Sequence, residues 1–436
     1  MLSNVNTEKI VRLNGEFATV VGPSHCVRFE HAIATGQLPA MQRTLKFIGV
    51  GGMPIWSPRI MRELSANSAC AAPFFIVGDF RFGNAILKHI SGEIAFPVGR
   101  EHLAVQKELI NEANDKILYD LSMTAACAIA KEIPAARLLF WDLTIREFEN
   151  RSSGKYQDNG VYRHPVWNLD TVLSTFSDIA VDSHDMLPFA ERLFIDSSGH
   201  PSLLGWIYIF QHVQGRQDVD LARLVKAYEL ALDRTMGNLF GGQVCVITGD
   251  SKFTRLLEKF VKLGIFSLPA GCVITSVRNA VNFRDSGTCL YFPPMVTYAM
   301  DENEITAQVT AVARNRALLQ ERFTEVSVLF YDNWEFECVS KRKDYAGMYV
   351  SQHEIGRTAA LEAQTCLAGQ CYRITESLDY EGMVELNNTV VPTVLGMIEI
   401  LGRAMSGCSN EDIRRAYGKI LAEINDDSLY MSTDGG

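Results

Sequence analysis

Three residue types that can share one reaction stand at two turns of this chain. "VVGPSHCVRF" places Ser24 where a strand-like run turns toward a helix, and "FIDSSGHPSLLGWIYIF" places Asp196 and His200 on a short turn before an apolar helical run. A serine hydroxyl is a poor nucleophile until a base accepts its proton, so an imidazole must reach it, and a carboxylate can orient that imidazole. Backbone N–H groups at the following helix start can stabilise the negative charge of an acyl intermediate. The pattern therefore suits acyl transfer from an ester. His25 adjoins Ser24, but neighbouring helical residues point about 100° apart, so it lines the pocket or caps the turn rather than serving as base. Arg28 could neutralise an anionic substrate, and an ion pair is an equally good use of it.

The elements that must hold these residues follow from hydropathy. "EFATVVG", "LKFIGVGG", "PFFIVGDF", "ARLLFWD" and "ERLFID" read as short strands, with helical patterns such as "EHLAVQKELINEANDKILYDLSMTAACAIAKEI" between them. Such alternation predicts an α/β fold with a mainly parallel sheet, whose strand carboxyl ends carry ligand chemistry. The pattern then recurs. "FATVVGPSHCVRF" is similar to "QVCVITGDSKFTRL", "ARLLFWDLTIREFE" to "VSVLFYDNWEFE", and "HPSLLGWIYIF" to "VPTVLGMIEIL". The separation of Asp142 from Gly205 and that of Asp332 from Gly396 differ by a single residue. Two tandem domains are expected, 1–236 and 237–436, divided near "RTMGNLFGGQ", where glycine interrupts a helical pattern. Where the first copy has Asp196 and His200, the second has Asn387 and Val391. The helix-packing residues persist and the ionisable pair does not, which favours a chemical use for the pair. Asp142 and Asp332 end equivalent strands, and their presence in both copies favours a turn or cap over a ligand contact.

Composition narrows the partners. The chain has 436 residues, 47% hydrophobic and 21% charged, with a net charge of -10. That acidity argues against nucleic acid or an anionic membrane, both of which reward clustered Lys and Arg. No run reaches membrane-spanning length and the amino terminus has no signal-peptide pattern, so a cytoplasmic protein is expected. The ten cysteines form no Cys-x-x-Cys pair, and Cys26, Cys127, Cys245 and Cys272 lie in apolar runs that read as reduced core thiols. "IGVGGMP" lacks Gly-x-Gly-x-x-Gly, "HDM" at 184–186 reads as isolated, and His164 falls in a proline-containing loop. Neither cofactor nor metal is expected.

The order of these features resembles the SGNH/GDSL hydrolase family, over about residues 15 to 215. The resemblance implies Ser24 as nucleophile, Gly51 and Asn84 as oxyanion or substrate-binding residues beside His25 and Arg28, and Asp196 with His200 completing the site. It implies two tandem three-layer α/β/α domains of the flavodoxin-like SGNH hydrolase type, the second degenerate. It also implies a serine esterase or O-acyltransferase acting on a small-molecule or saccharide ester. Three residues separate Asp196 from His200 where the family usually has two, and Asn84 is displaced from its usual block. A catalytically inactive binding or scaffold protein is therefore the alternative. The oligomeric state stays open, a homo-oligomer included.

Overall fold

The β-branched and aromatic runs form the strands of two mainly parallel sheets. The structure is a computed structural model that describes residues 10–11, 17–41, 44–49, 54–58, 60, 62–63, 71–78, 112–153, 168–195, 199–216, 219–241, 244–283, 287–294, 302–330, 371–373, 384–385 and 388–426. The chain divides into two compact units between Ala222 and Arg223.

In the first unit, β1 (Ile10–Val11), β2 (Phe17–Gly22), β3 (Thr44–Gly49), β4 (Ala71–Ile76) and β5 (Arg137–Leu139) lie in the order β1-β3-β2-β4-β5. Edge strand β1 is antiparallel to β3, and the other described pairings are parallel. Leu138 also bridges Ala180 in parallel, extending the sheet beyond β5. Val20 pairs with Phe47 and Val21 with Ile48, and all four are buried, because helices cover both faces. Phe29 of α1 (Ser24–Ala34) packs on Phe47 and stacks on Trp206 of α6 (Leu203–Val213). On the other face Val21, Ile48 and Phe75 share a core with Ala126 and Ile129 of α2 (Glu112–Glu132) and Leu169 and Val172 of α4 (Leu169–Thr175). Between these lie α3 (Trp141–Ser153), a 3-10 turn (His184–Phe189) and α5 (Ala190–Leu193).

Of the expected strand "ERLFID", Glu191 to Leu193 are helical instead and Phe194 makes only an isolated bridge. Its carbonyls are committed elsewhere: Leu193 accepts from the Ser202 backbone N–H at 2.8 Å, and Arg192 accepts from the Ser202 hydroxyl at 2.5 Å. The chain there closes the turn that carries His200 rather than extending the sheet.

In the second unit, β6 (Cys245–Thr248), β7 (Cys272–Thr275), β8 (Thr288–Tyr291), β9 (Glu325–Phe330) and β10 (Cys371–Arg373) form a sheet in the order β10-β9-β8-β6-β7, each described pairing parallel. Counted along the chain, its strands lie 2-1-3-4-5, and β2 to β5 of the first unit lie 2-1-3-4. Helix α7 (Leu221–Phe240) belongs to this second unit from Arg223 onward, because Tyr228 donates to the Ile265 carbonyl and Arg234 pairs with Glu423 at 2.9 Å. It runs through Gly237 and ends only at Gly241, whose φ of 58° suits a helix terminus. The glycine expected to break this helix therefore does not. The division falls ahead of residue 236 because the helix packs forward.

Helix α8 (Lys252–Lys262) buries Phe253, Leu257 and Phe260. The unit also has short helix α9 (Val277–Ala280) and α10 (Glu302–Gln320). The hairpin β11 (Val384–Glu385) and β12 (Asn388–Pro392) precedes α11 (Val394–Ser406) and α12 (Asn410–Ile424).

Among the described residues, no helix is long and apolar enough to cross a membrane.

Candidate active site

Ser24 owes its position to a tight exit from β2. A Cβ added at Gly22 would lie 2.9 Å from the Ile76 carbonyl oxygen of β4, so the strand end must be glycine for the sheet to close. Pro23 follows at the cap position, where it offers no side-chain cap, and Ser24 begins α1. Its hydroxyl is therefore not spent on the helix terminus. It lies 3.4 Å from Nε2 of His200, a residue 176 positions away.

His200 reaches that place through a pinched turn. Phe194 bridges Pro201 in antiparallel fashion, and the Ile195 N–H donates to the His200 carbonyl at 2.8 Å. Gly199 has φ of 69°, a conformation that other residues adopt only with strain. Its carbonyl accepts from Trp141 Nε1 at 2.7 Å and from His25 Nε2 at 3.2 Å. Two buried donors from different helices thus fix the residue next to His200. Helix α6 begins immediately after, capped by Ser202, whose hydroxyl oxygen accepts from the Gly205 N–H. A Cβ on Gly205 would stand 2.2 Å from the Leu193 carbonyl and 2.9 Å from the Trp141 ring, so the glycine lets α6 press against the same turn.

His25 is 1% exposed, with its ring centroid 5.3 Å from that of His200. Burial pushes its pKa down to about 3, helped by the nearby His200 and Arg28 charges and opposed by Asp142. It is neutral near pH 7, and because Nε2 donates to Gly199, its Nδ1 carries the lone pair. Among the described residues that atom has no hydrogen-bond partner. His25 pins the turn through its bond to the Gly199 carbonyl. Arg28 is 7% exposed on the same helix, an interior position rather than a surface one.

Asp142 stands in the first turn of α3, close to the turn that carries His200. It is 1% exposed at the start of α3, and its Oδ1 lies 3.8 Å from where a Cβ on Gly199 would be. The available signal was its place at the carboxyl end of a parallel strand, where site residues gather. Trp141 was missed because an indole N–H aimed at a backbone carbonyl leaves no spacing in the sequence. Asp196, Gly51, Asn84 and His164 lie outside the described residues, as do Asp332 and Asn387.

The equivalent features of the second unit serve structure. Ser251 is 3% exposed and caps α8, its oxygen accepting from the Thr254 N–H at 3.1 Å. Thr393 caps α11 as Ser202 caps α6, accepting from the Gly396 N–H at 3.0 Å. The shared "HPSLLG" and "VPTVLG" pattern is thereby explained by capping and helix packing, and His200 is left over.

His184 is not isolated. Its ring nitrogens lie 2.6 Å from Asp170 and 2.7 Å from Asp182, and those bonds, Asp170's first, raise its pKa. Among the described residues, no group of three His, Cys, Asp or Glu is arranged to hold a metal ion. No family model matches the chain, and no curated protein matches it in sequence.

Proposed function

We propose that the first unit is a serine esterase or O-acyltransferase of the SGNH/GDSL type, acting on a small-molecule or saccharide ester. The observation that carries this reading is the approach of the Ser24 hydroxyl to His200 Nε2 across 176 residues of chain, at the carboxyl end of a parallel sheet. The 2-1-3-4 and 2-1-3-4-5 strand orders support a flavodoxin-like fold of this type. Together with the matched sequence segments, they support a tandem duplication whose second copy is degenerate.

In this mechanism His200 Nε2 takes the Ser24 proton as Oγ attacks the ester carbonyl carbon. The N–H groups opening α1 stabilise the oxyanion, and family resemblance gives Gly51 and Asn84 the role of further donors. His200 then protonates the leaving alcohol, and the acyl group passes from Ser24 to water or to an acceptor hydroxyl. An acid must hold the imidazole in the tautomer that leaves Nε2 free to accept. Asp196 has this role by family resemblance, while Asp142 is the buried acid beside Gly199.

The test is hydrolysis of a p-nitrophenyl ester panel, acetate first, by wild type, Ser24→Ala and His200→Ala of matched fold. Loss of activity in both variants, with a covalent acyl adduct on Ser24 in wild type, supports the reading. An inactive wild type, or variants that match it, removes the esterase chemistry and leaves a binding protein on the same architecture.

A further inference from the structure

Strands β6 and β7 run parallel and in register, so that Cys245 and Cys272, the first residues of the two strands, are direct partners. Neighbouring strands lie about 4.8 Å apart, inside the Cα separation of roughly 4.4–6.8 Å that a disulfide spans. Register partners in a parallel pair send their side chains to the same face, and these two sulfurs are hydrogen-bonded to each other. Neither is in a disulfide. Their environments differ in the way a reactive pair requires. Cys245 is 1% exposed on an inner strand, whereas Cys272 is half-buried on β7, at the end of the described sheet, beside exposed Val273.

The hydrogen bond polarises the pair. The Cys245 thiol donates to the Cys272 sulfur, which lowers the Cys272 pKa and, with burial, raises that of Cys245. Cys289 of β8 has no such arrangement. It stands opposite Val246, so its side chain takes the other face of the sheet from Cys245, and burial pushes its thiol up to about 12. An accessible, more acidic thiol next to a second cysteine is the arrangement found in thiols that undergo reversible oxidation.

We propose that Cys245 and Cys272 form a redox-active dithiol, in which Cys272 attacks small disulfides and Cys245 resolves the mixed disulfide into an internal Cys245–Cys272 bond. In the first step the Cys272 thiolate forms a bond to one sulfur of R–S–S–R and expels R–S⁻. In the second, Cys245 loses its proton, attacks the Cys272 sulfur and expels the other R–S⁻. The two protein thiols are oxidised by two electrons, the small disulfide is reduced to two thiols, and the cysteine protons end on those thiols. The site lies at the amino ends of its strands, away from the Gly249–Ser251 turn, and is separate from the chemistry proposed for Ser24.

The test exposes the full chain to glutathione disulfide, quenches with acid, alkylates, and reads intact mass and non-reducing peptide maps. Wild type is expected to lose the mass of two hydrogens with peptides linked through Cys245 and Cys272, reversibly with dithiothreitol. Cys245→Ala is expected to stop at one glutathione adduct on Cys272. Cys127, exposed on α2, reports reaction of an ordinary accessible thiol. A lasting adduct on Cys272 of wild type without the internal bond, or reaction at Cys127 with none at Cys272, overturns the proposal. Because the wild-type map decides, it does not depend on how well the variant folds.

Discussion

At the end of β2, Gly22-Pro23-Ser24 leads into α1 with the hydroxyl turned toward an imidazole. At the end of β6, Gly249-Asp250-Ser251 leads into α8 with the hydroxyl turned back onto the helix. The neighbours decide which use the serine has. Ser251 sits outside its helix with φ of -68° and ψ of 159°, the extended conformation from which a cap bonds the N–H three residues on. In the first unit Pro23 holds the cap position and Ser24 is already helical, so its oxygen has no capping geometry. One residue's displacement of the helix start separates a structural serine from a candidate nucleophile.

The largest effect should come from breaking the first turn. Ser24→Ala and His200→Ala should each lower ester hydrolysis by about a thousand-fold or more, as loss of a serine or its base does where the two act as a unit. The double variant should be no worse than either single one. Comparable losses that multiply instead would show two independent roles, and the Ser24–His200 couple would have to be given up.

The glycines ahead of the two serines should differ next. Gly249 has φ of 132°, and an added Cβ would lie 1.9 Å from the Phe292 carbonyl oxygen, a clash with backbone that cannot swing away. Gly249→Ala should cost about 3 kcal/mol or more of stability in the second unit. At Gly22 the nearest such oxygen is 2.9 Å away and φ is not in the left-handed region, so Gly22→Ala should cost less. Urea unfolding followed by hydrogen exchange in each unit would rank the two.

Acid should also separate the units. His25 follows Ser24 where Lys252 follows Ser251, and α6 adds His212, half-buried, with its pKa lowered by desolvation to about 4. The unfolded chain binds protons on these imidazoles below about pH 6.5, while the folded chain refuses them until about pH 3 to 4. Stability is therefore greatest above 6.5 and falls as pH drops through that interval, by on the order of a few kcal/mol. Urea midpoints for the first unit should fall from pH 7 to pH 4, and a stable His25→Asn variant should show a shallower fall. An equal slope in that variant would remove His25 as a cause.

These contrasts also show what could be read before the fold was known. The parallel strands, the Gly-x-Ser turn and the pairing of Ser24 with His200 were legible, because β-branched runs and turn residues act locally and the two segments could be compared with their second-unit counterparts. The Gly237 break was misread: a single glycine costs a helix only about 1 kcal/mol, and contacts such as Tyr228 to Ile265 outweigh it. Trp141 and Asp142 were not assigned to the site because their roles depend on which loop folds over the end of β5. That placement is set by the bonds around Gly199, which join residues far apart in the chain.

The smallest effect is the sharpest test of the comparison. Ser251→Ala should leave ester hydrolysis unchanged and cost about 1 kcal/mol, the usual worth of a serine cap. Ser24→Ala should cost almost no stability, since no capping bond is lost there. The two substitutions are chemically identical and occupy similar positions, one after β2 and the other after β6. Measured together by urea unfolding and ester hydrolysis, they should give opposite results: stability lost with activity kept in one, activity lost with stability kept in the other. If Ser24→Ala instead loses as much stability as Ser251→Ala, the Ser24 hydroxyl has a structural bond that outweighs its approach to His200.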